Sequence, residues 1–487
     1  MTVARTVARN SIVQLAGRGI TMAVSLGTLS LLARYLGPED FGKYQFVIAF
    51  LLLVNVSDFG VATLAVRHLA TSERDADDLM GNVVVVRSVL AACSTGIAIG
   101  IAFLVGYPAE IKAAIAVAAL SFPLMIAAGA YNATFAANLR MEFATIGNVA
   151  QAVVTLVCML LVVANGSWLI GLLFAYNAGV LVNSVICVYF ARRYVRPRFT
   201  FDQAYSLRLL REAAPLGLAV LIITAYGRLD VLLLRAFTDD EVVGYYGFAY
   251  RIVDLAFPLS FFFVGSVFPL LSGYFAEGRH AEFRSLYARA CDVLSIAAVG
   301  VVTMIVLFAS PIVHVIGGAE YAPAVVSMQV LVGAVALIWL SNLADHGLIA
   351  IGRQGALLWI ALGGLVVNVG SNLVLIPLYG AEGAAIATVM TEIAVLIPAM
   401  VIVARYTLDV PSFVLAARLV PVALLSAAVV YALPLHWAVE VPIVALLFGA
   451  GVLLLRVISL SEVRALLGRA TSESVNVRTR VEVGAGH

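Results

Sequence analysis

Three arginines fall deep inside apolar stretches of a chain in which only 12% of residues are charged: Arg18, Arg228 and Arg251. A guanidinium presents its donors as a planar fork, which suits anions that offer paired oxygens, such as phosphate or pyrophosphate. It suits a cationic ligand poorly. On insertion scales each such charge costs about 2.5–3.5 kcal/mol at the centre of a bilayer, so three cost on the order of 8–10 kcal/mol. A charge kept at that cost is paired, hydrated or used. Around Arg18, the residues Ser11, Gln14, Thr21, Ser25 and Thr28 recur at steps of three or four with it, one stripe down one helix face. The stripe predicts a cavity lining or an interhelical seam. Carboxylates stand nearby in sequence: Asp58 with Asn55, Asp230 beside Arg228, Asp254 three residues after Arg251, and Glu392 with Thr388. They could neutralise the arginines. Pairing and ligand binding both stay open for Arg251, as does pairing of Arg228 with Asp230 or Asp58. Arg18 has no acid close on its own helix, which favours a cavity-facing cation. Asn148, Gln151 and Thr155 form a shorter polar stripe, and Asn368 pairs with Asn372 in spacing. Arg87 lies about one turn inside its span and is expected to snorkel to the surface.

Other chemical signals fail. Gly37-Pro-Glu-Asp-Phe-Gly-Lys43 fits the first seven positions of a phosphate-binding loop, but Tyr44 stands where the magnesium-binding hydroxyl belongs. The Asp-Phe-Gly triplets at 40–42 and 58–60 lack the other kinase elements. None of the six histidines is spaced as a metal pair, and the four cysteines form no CxxC. Asp239-Asp240 falls on the outer side, where a nucleotide-sugar donor is not expected. No metal and no cofactor are expected.

The elements that hold these residues must be membrane spans. Hydrophobic residues make up 63% of the 487, and the mean hydropathy is +1.04. This excludes a soluble globular domain, a disordered chain and a collagen-like fibre. The net charge of +2 leaves no polycation for nucleic acid. Apolar runs of spanning length occur near 12–34, 44–66, 82–105, 113–135, 144–163, 168–189, 214–234, 245–268, 293–315, 322–345, 356–378, 383–403, 415–432 and 440–459. These predict about fourteen transmembrane helices, the first retained rather than cleaved. The runs do not alternate as barrel strands would. Of the 30 Lys and Arg, 22 fall on the amino-terminal side of the membrane, 4 in the opposite loops and 4 inside helices. The positive-inside rule then places both termini in the cytoplasm. The longest loop, 190–213, carries six arginines and reads as a topology signal with a short interfacial helix, or as a binder of anionic lipid.

A repeat organises the spans. Leu31-Leu32-Ala33-Arg34, an acidic turn and Phe41-Gly42-Lys43-Tyr44 match Leu232-Leu233-Leu234-Arg235, Asp239-Asp240-Glu241 and Val243-Gly244-Tyr245-Tyr246, at an offset of 201 or 202. The turns Asn165-Gly166-Ser167 and Tyr379-Gly380-Ala381 match more loosely. The expected organisation is a first six-helix lobe over 1–200, a cytoplasmic linker over 201–213, a second lobe over 214–405, an appended helix pair over 406–460 and a cytoplasmic tail over 461–487. Two lobes of six helices enter the membrane in the same direction, related by an axis along its normal.

The stretch from Asn10 to Arg67, with its polar first helix, its RYLGPEDFGKY turn and its SDFGVATLAVR close, resembles the polysaccharide exporter branch of the multidrug/oligosaccharidyl-lipid/polysaccharide exporter superfamily. The segment LIPLYGAEGAAIATVMTE at 375–392 is similar to the same family's junction of helices 11 and 12. The resemblance implies two pseudo-symmetric lobes of the multidrug-exporter type around a central cavity. It implies a substrate of undecaprenyl-diphosphate-linked oligosaccharide, flipped across the bacterial cytoplasmic membrane for a polymerase or ligase outside. It also implies that Arg18 and Arg251, in places comparable to cavity arginines of peptidoglycan-precursor relatives, engage the pyrophosphate. Helices 13 and 14 look like the pair that forms a lipid-tail groove in those relatives.

The expected mechanism is alternating access. Arg18, helped by Arg251 or Arg228, neutralises the pyrophosphate while the polyprenyl tail stays in lipid. With the inside negative, moving two negative charges outward gains about 4–5 kcal/mol at 100 mV. Proton or sodium coupling through Asp58, Asp254 or Glu392 is the alternative energy source. The rivals are a multidrug antiporter of the same fold, which would need acids and aromatics in its cavity, and a flippase of the peptidoglycan precursor. A membrane polymerase or ligase would need a large outer loop, and none of the outer loops exceeds about ten residues.

Overall fold

The computed structural model describes residues 3–71, 75–166, 168–198, 202–407, 417–433 and 435–455. The side chain of Ser11 and the expected tail over 461–487 lie outside the described residues. Among the described residues the chain is all-helical, as a backbone must be where no water can satisfy its polar groups. The helices are α1 (Val3–Val54), α2 (Val61–Thr71), α3 (Ala76–Leu104), α4 (Ala109–Ala119), α5 (Ser121–Leu124), α6 (Ile126–Ala137), α7 (Glu142–Ala164) and α8 (Leu169–Ala191). They continue with α9 (Gln203–Tyr226), α10 (Leu229–Phe237), α11 (Asp240–Asp254), α12 (Phe257–Ala276), α13 (His280–Ile316), α14 (Ala324–Ala350), α15 (Gly355–Thr407), α16 (Val420–Ala432) and α17 (Trp437–Leu454).

Eleven described helices are long and apolar enough to cross a membrane, against the fourteen expected. The difference lies at three places. α1 and α15 each run through two expected spans, interrupted at Gly37 (φ 66°) and Gly380 (φ 55°). Both glycines take the left-handed backbone that a side chain disfavours. After Gly380 the chain folds back so sharply that a methyl group on Gly383 would overlap the Leu375 carbonyl. The third place is α16, whose 13 residues are shorter than a span. Over 201–213, expected as a linker within a loop holding a short interfacial helix, the chain is helical from Gln203 onward.

Several spans break partway. α1 and α2 are separated at 55–60, where Phe59 (φ 40°) and Gly60 (φ 76°) both lie in the left-handed region. α9 and α10 part at Gly227-Arg228, and α11 and α12 at Leu255-Ala256. Such discontinuous helices expose backbone groups at depths where only other protein groups can answer them.

The described chain divides into two units. One comprises Met1–Phe248 with Asn372–Ala384, the other Ala249–Ser371 with Ala385–His487. In the first unit, the connecting segment 192–198 is laid along the start of α3. Asp77 accepts the Arg196 amide at 2.8 Å, Arg198 pairs with Asp75 at 3.1 Å, and Gly81 leaves room for the Arg198 carbonyl. Buried Asn82 accepts the Asp202 amide at 2.8 Å and the Ser206 hydroxyl at 3.3 Å. The arginines of this segment are therefore partly committed to the protein itself.

The matched turns also meet within the first unit. A methyl group on Gly42 would overlap the Asp240 carbonyl, and one on Gly244 would overlap the Pro38 carbonyl. Pro38 and Asp240 are 202 residues apart, and so are Gly42 and Gly244. Gln45 Nε2 donates to the Gly247 carbonyl at 3.0 Å, again across 202 residues. This reciprocity, in which each member touches the residue four before its counterpart, is what a local two-fold relation produces. Small residues let the two backbones approach closely. Around the contact the charges are settled locally. Lys43 bridges Asp40 (2.7 Å) and Glu39 (3.1 Å), and Arg235 bonds Asp240 at 2.6 Å while lying 4.1 Å from the Phe46 ring centre. Gly42→Val and Gly244→Val should each lower stability by about 1–3 kcal/mol through overpacking. Gly27→Ala, whose added methyl meets nothing, should stay within about 0.5 kcal/mol. Thermal unfolding of the purified chain in detergent checks the contrast.

Candidate functional site

The polar stripe of α1 is set by its packed edge. Gly17 is buried against Thr145 and Val149 of α7, which turns the neighbouring positions outward. Arg18 and Ser25 are exposed, while Gln14, Thr21 and Thr28 are half-buried. The hydroxyls of Thr21 and Thr28 bond back to the carbonyls of Gly17 (2.8 Å) and Val24 (2.9 Å). The threonines are thus satisfied on their own helix, and the group that sets this face apart chemically is the Arg18 cation.

Asn55 and Asp58 do not lie inside a helix, as the apolar run over 44–66 leads one to expect, but in the break before α2. Asn55 Oδ1 accepts from the amide (3.0 Å) and hydroxyl (2.6 Å) of Ser57 and so shapes the turn. Asp58 starts the next helix, its Oδ1 accepting the Ala62 amide at 3.1 Å. The same oxygen accepts from Arg87 Nη1. Arg87 therefore corrects a second expectation: it does not snorkel but is buried to 4% exposure, against 52% for Asp58. Gly129 of α6 makes this possible, since a methyl group there would fall on the guanidinium. An arginine one turn inside a span reads as a surface residue in sequence; the glycine that admits it lies 42 positions away and carries no signal of its own.

Arg228 stands at the start of α10, half-buried, its amide bonded to the Ala225 carbonyl at 3.2 Å. Asp230, in the first turn of α10, is buried. Its Oδ1 accepts the Val231 amide at 2.8 Å, and Oδ2 accepts from the Tyr246 hydroxyl on α11. An acid at a helix N-terminus is favourably placed against the helix dipole. In the second unit, Arg251 and Asp254 are half-buried in the last turn of α11, and Glu392 is buried on α15. Beside Glu392, the Thr391 hydroxyl accepts from Asn368 at 3.2 Å.

The stripe Asn148, Gln151 and Thr155 resolves as a helix seam. Asn183 of α8 donates to Gln151 Oε1 (2.8 Å) and Asn148 Oδ1 (3.2 Å), and Thr155 packs on Gly179. Among the described residues no group of three His, Cys, Asp or Glu side chains could hold a metal ion. Six of the candidate residues share a position: Arg228, Asp230, Arg251, Asp254, Asn55 and Asp58 lie at, or within one turn of, a break in a span, whereas Gln14, Arg18, Thr21, Ser25 and Glu392 do not.

The unequal burial of Arg87 and Asp58 gives an ordered prediction. Asp58→Asn strands a buried cation and should cost on the order of 3 kcal/mol. Arg87→Met leaves the exposed Asp58 carboxylate and should cost less. Unfolding midpoints of the two variants, compared in one detergent, check the order.

Residues 7–275 match the family described as "Polysaccharide biosynthesis protein", more than half of the chain. No curated protein matches the sequence. Among solved structures, the lipid II flippase MurJ in an inward closed conformation is similar with a TM-score of 0.76 at 14% identity, covering 91% of this chain and 98% of that one. An inward-facing multidrug resistance transporter of the MATE family gives 0.66 at 14% identity, covering 81% and 98%. A MOP superfamily transporter from Pyrococcus furiosus gives 0.58 at 15%, covering 83% and 97%. At these identities the structures establish the fold. The chain belongs to the polysaccharide biosynthesis protein family, and it is a multi-pass membrane protein with the fold of the multidrug/oligosaccharidyl-lipid/polysaccharide exporter superfamily.

Proposed function

We propose that this protein flips an undecaprenyl-diphosphate-linked oligosaccharide outward across the bacterial cytoplasmic membrane, for O-antigen, capsule or exopolysaccharide. The observation that carries this reading is the set of cations within and beside the spans, since a guanidinium suits a diphosphate and not a cationic drug. Arg18 is exposed on α1, and Arg228 and Arg251 stand at or within a turn of breaks in their spans. Asp58 and Asp230, which a cationic drug would need, are taken up by Arg87 and by Tyr246. Discontinuous spans are where many transporters bind substrate.

In this reading Arg18, helped by Arg251 or Arg228, neutralises the diphosphate, and Gln14, Thr21, Ser25 and Asn55 offer hydrogen bonds to sugars. The polyprenyl tail stays in lipid. In this reading the lipid-linked glycan is made on the cytoplasmic face, so the diphosphate starts on the negative side of the membrane. The membrane potential then drives it outward by about 4–5 kcal/mol at 100 mV. Asp254 and Glu392 are the acids through which a proton or sodium ion would add to that drive.

One observation favours a second reading, a flippase of the lipid II kind. The MurJ match covers 91% of the chain, against 81% for the multidrug transporter. The two flippases would share the diphosphate chemistry and differ in the glycan.

Deletion of the gene tests the choice. The proposal expects a diphosphate-linked oligosaccharide to accumulate on the inner face of viable cells, with loss of the surface glycan. Loss of viability with accumulation of lipid II would replace it by the second reading. Complementation by Arg18→Ala should restore about a tenth or less of the export, since a charge-assisted hydrogen bond is worth about 1.5–3 kcal/mol. Full export by Arg18→Ala would refute the cation role.

A further inference from the structure

The break between α11 and α12 has an identifiable cause and an identifiable support, both in the second unit. Pro258 has no amide to offer the Asp254 carbonyl four residues earlier, which removes one helical bond at the break. The amides of Leu255 and Ala256 turn back three residues to Ile252 (3.3 Å) and Val253 (3.0 Å). On α14, Trp339 and Asn342 lie three residues apart, on one face. Trp339 Nε1 donates to the Ala256 carbonyl at 3.1 Å. Asn342 Nδ2 donates to Ser260 Oγ at 3.3 Å, and the Ser260 hydroxyl donates to the Phe257 carbonyl at 3.2 Å. Trp339, Asn342 and Ser260 are all buried. One helix therefore grips the kink at two points, Ala256 and Ser260. Arg251 and Asp254 occupy the turn just before it.

We infer that Trp339 and Asn342 are positioning residues for the anion site: by holding the kink, they fix where the Arg251 guanidinium stands for a diphosphate oxygen. This rests on the reading of Arg251 as a ligand. Neither residue touches the substrate. The device is not imposed by the repeat, because the break at 55–60 is held differently, with the Val56 amide donating to Ser94 Oγ at 3.0 Å.

The test measures binding of inorganic pyrophosphate to the full chain in lipid nanodiscs by titration calorimetry. Trp339→Phe keeps the ring and removes the donor; Asn342→Leu keeps the bulk and removes the amide. Arg251→Gln should weaken binding about tenfold. Trp339→Phe should weaken it about fivefold, and should add nothing in the Arg251→Gln background, because it acts through Arg251. If the two losses multiply in the double variant, or if Trp339→Phe binds as the unaltered chain does, the positioning role is overturned while the anion site stands. If Arg251→Gln alone changes nothing, the ligand role of Arg251 fails, and this inference falls with it. Should Trp339→Phe not fold, Asn342→Leu carries the same cycle under the same criteria.

Discussion

A backbone amide or carbonyl freed inside a bilayer has no water to turn to, and each one left unanswered costs several kcal/mol. The described spans break nonetheless at 55–60, at Gly227-Arg228 and at Leu255-Ala256. Specific groups answer the freed backbone. Ser94 accepts the Val56 amide, Asp58 accepts the Ala62 amide, Asp230 accepts the Val231 amide, and Trp339 donates to the Ala256 carbonyl. These contacts account for many of the polar residues that hydropathy alone marks as out of place. They also place charge at depth: Arg87 is drawn in by Asp58, and Arg228 begins a helix that Asp230 caps.

The polar groups at the breaks thus do two kinds of work. Some close the backbone, as Asn55 does through Ser57 and Asp58 does through Ala62. Others, the arginines, cannot do this, since a guanidinium has donors and no acceptors and cannot cap an amide. That division explains why the acids of the first unit are engaged in structure while the arginines define the proposed anion specificity. The glycine contact at Gly42 and Gly244 belongs to the same economy of space: two backbones meet there with no side chain between them.

Much of the architecture was legible because bilayer thickness leaves a length signature. Long apolar runs named the helices, and the matched turns around Gly42 and Gly244 named the pair of segments that touch. The breaks were not legible. A hydropathy window averages across 55–60, where Val54, Val56 and Phe59 keep the mean high, and nothing in the sequence announces a left-handed Phe59. Of these three breaks, only the one at Leu255-Ala256 has a proline, Pro258, just beyond it. Partners distant in sequence were invisible for the same reason: Arg87 looks like an interfacial residue until Gly129 is seen beside it, and Asn148 with Gln151 reads only as a polar stripe until Asn183 is seen to bond both. The candidate arginines were found because burying a charge has a cost readable from one residue and its neighbours; their supports, Trp339 and Asn342, are apolar or neutral and carry no such mark.

The central proposal is chemical: the transported lipid is selected through its diphosphate by arginines within and beside the spans. Proteoliposomes containing the purified chain can be given two fluorescent lipids with the same glycan and the same polyprenyl chain, one joined by a diphosphate and the other by an uncharged ether. The account predicts that the diphosphate lipid crosses at least about tenfold faster. Equal rates for the two lipids would contradict it.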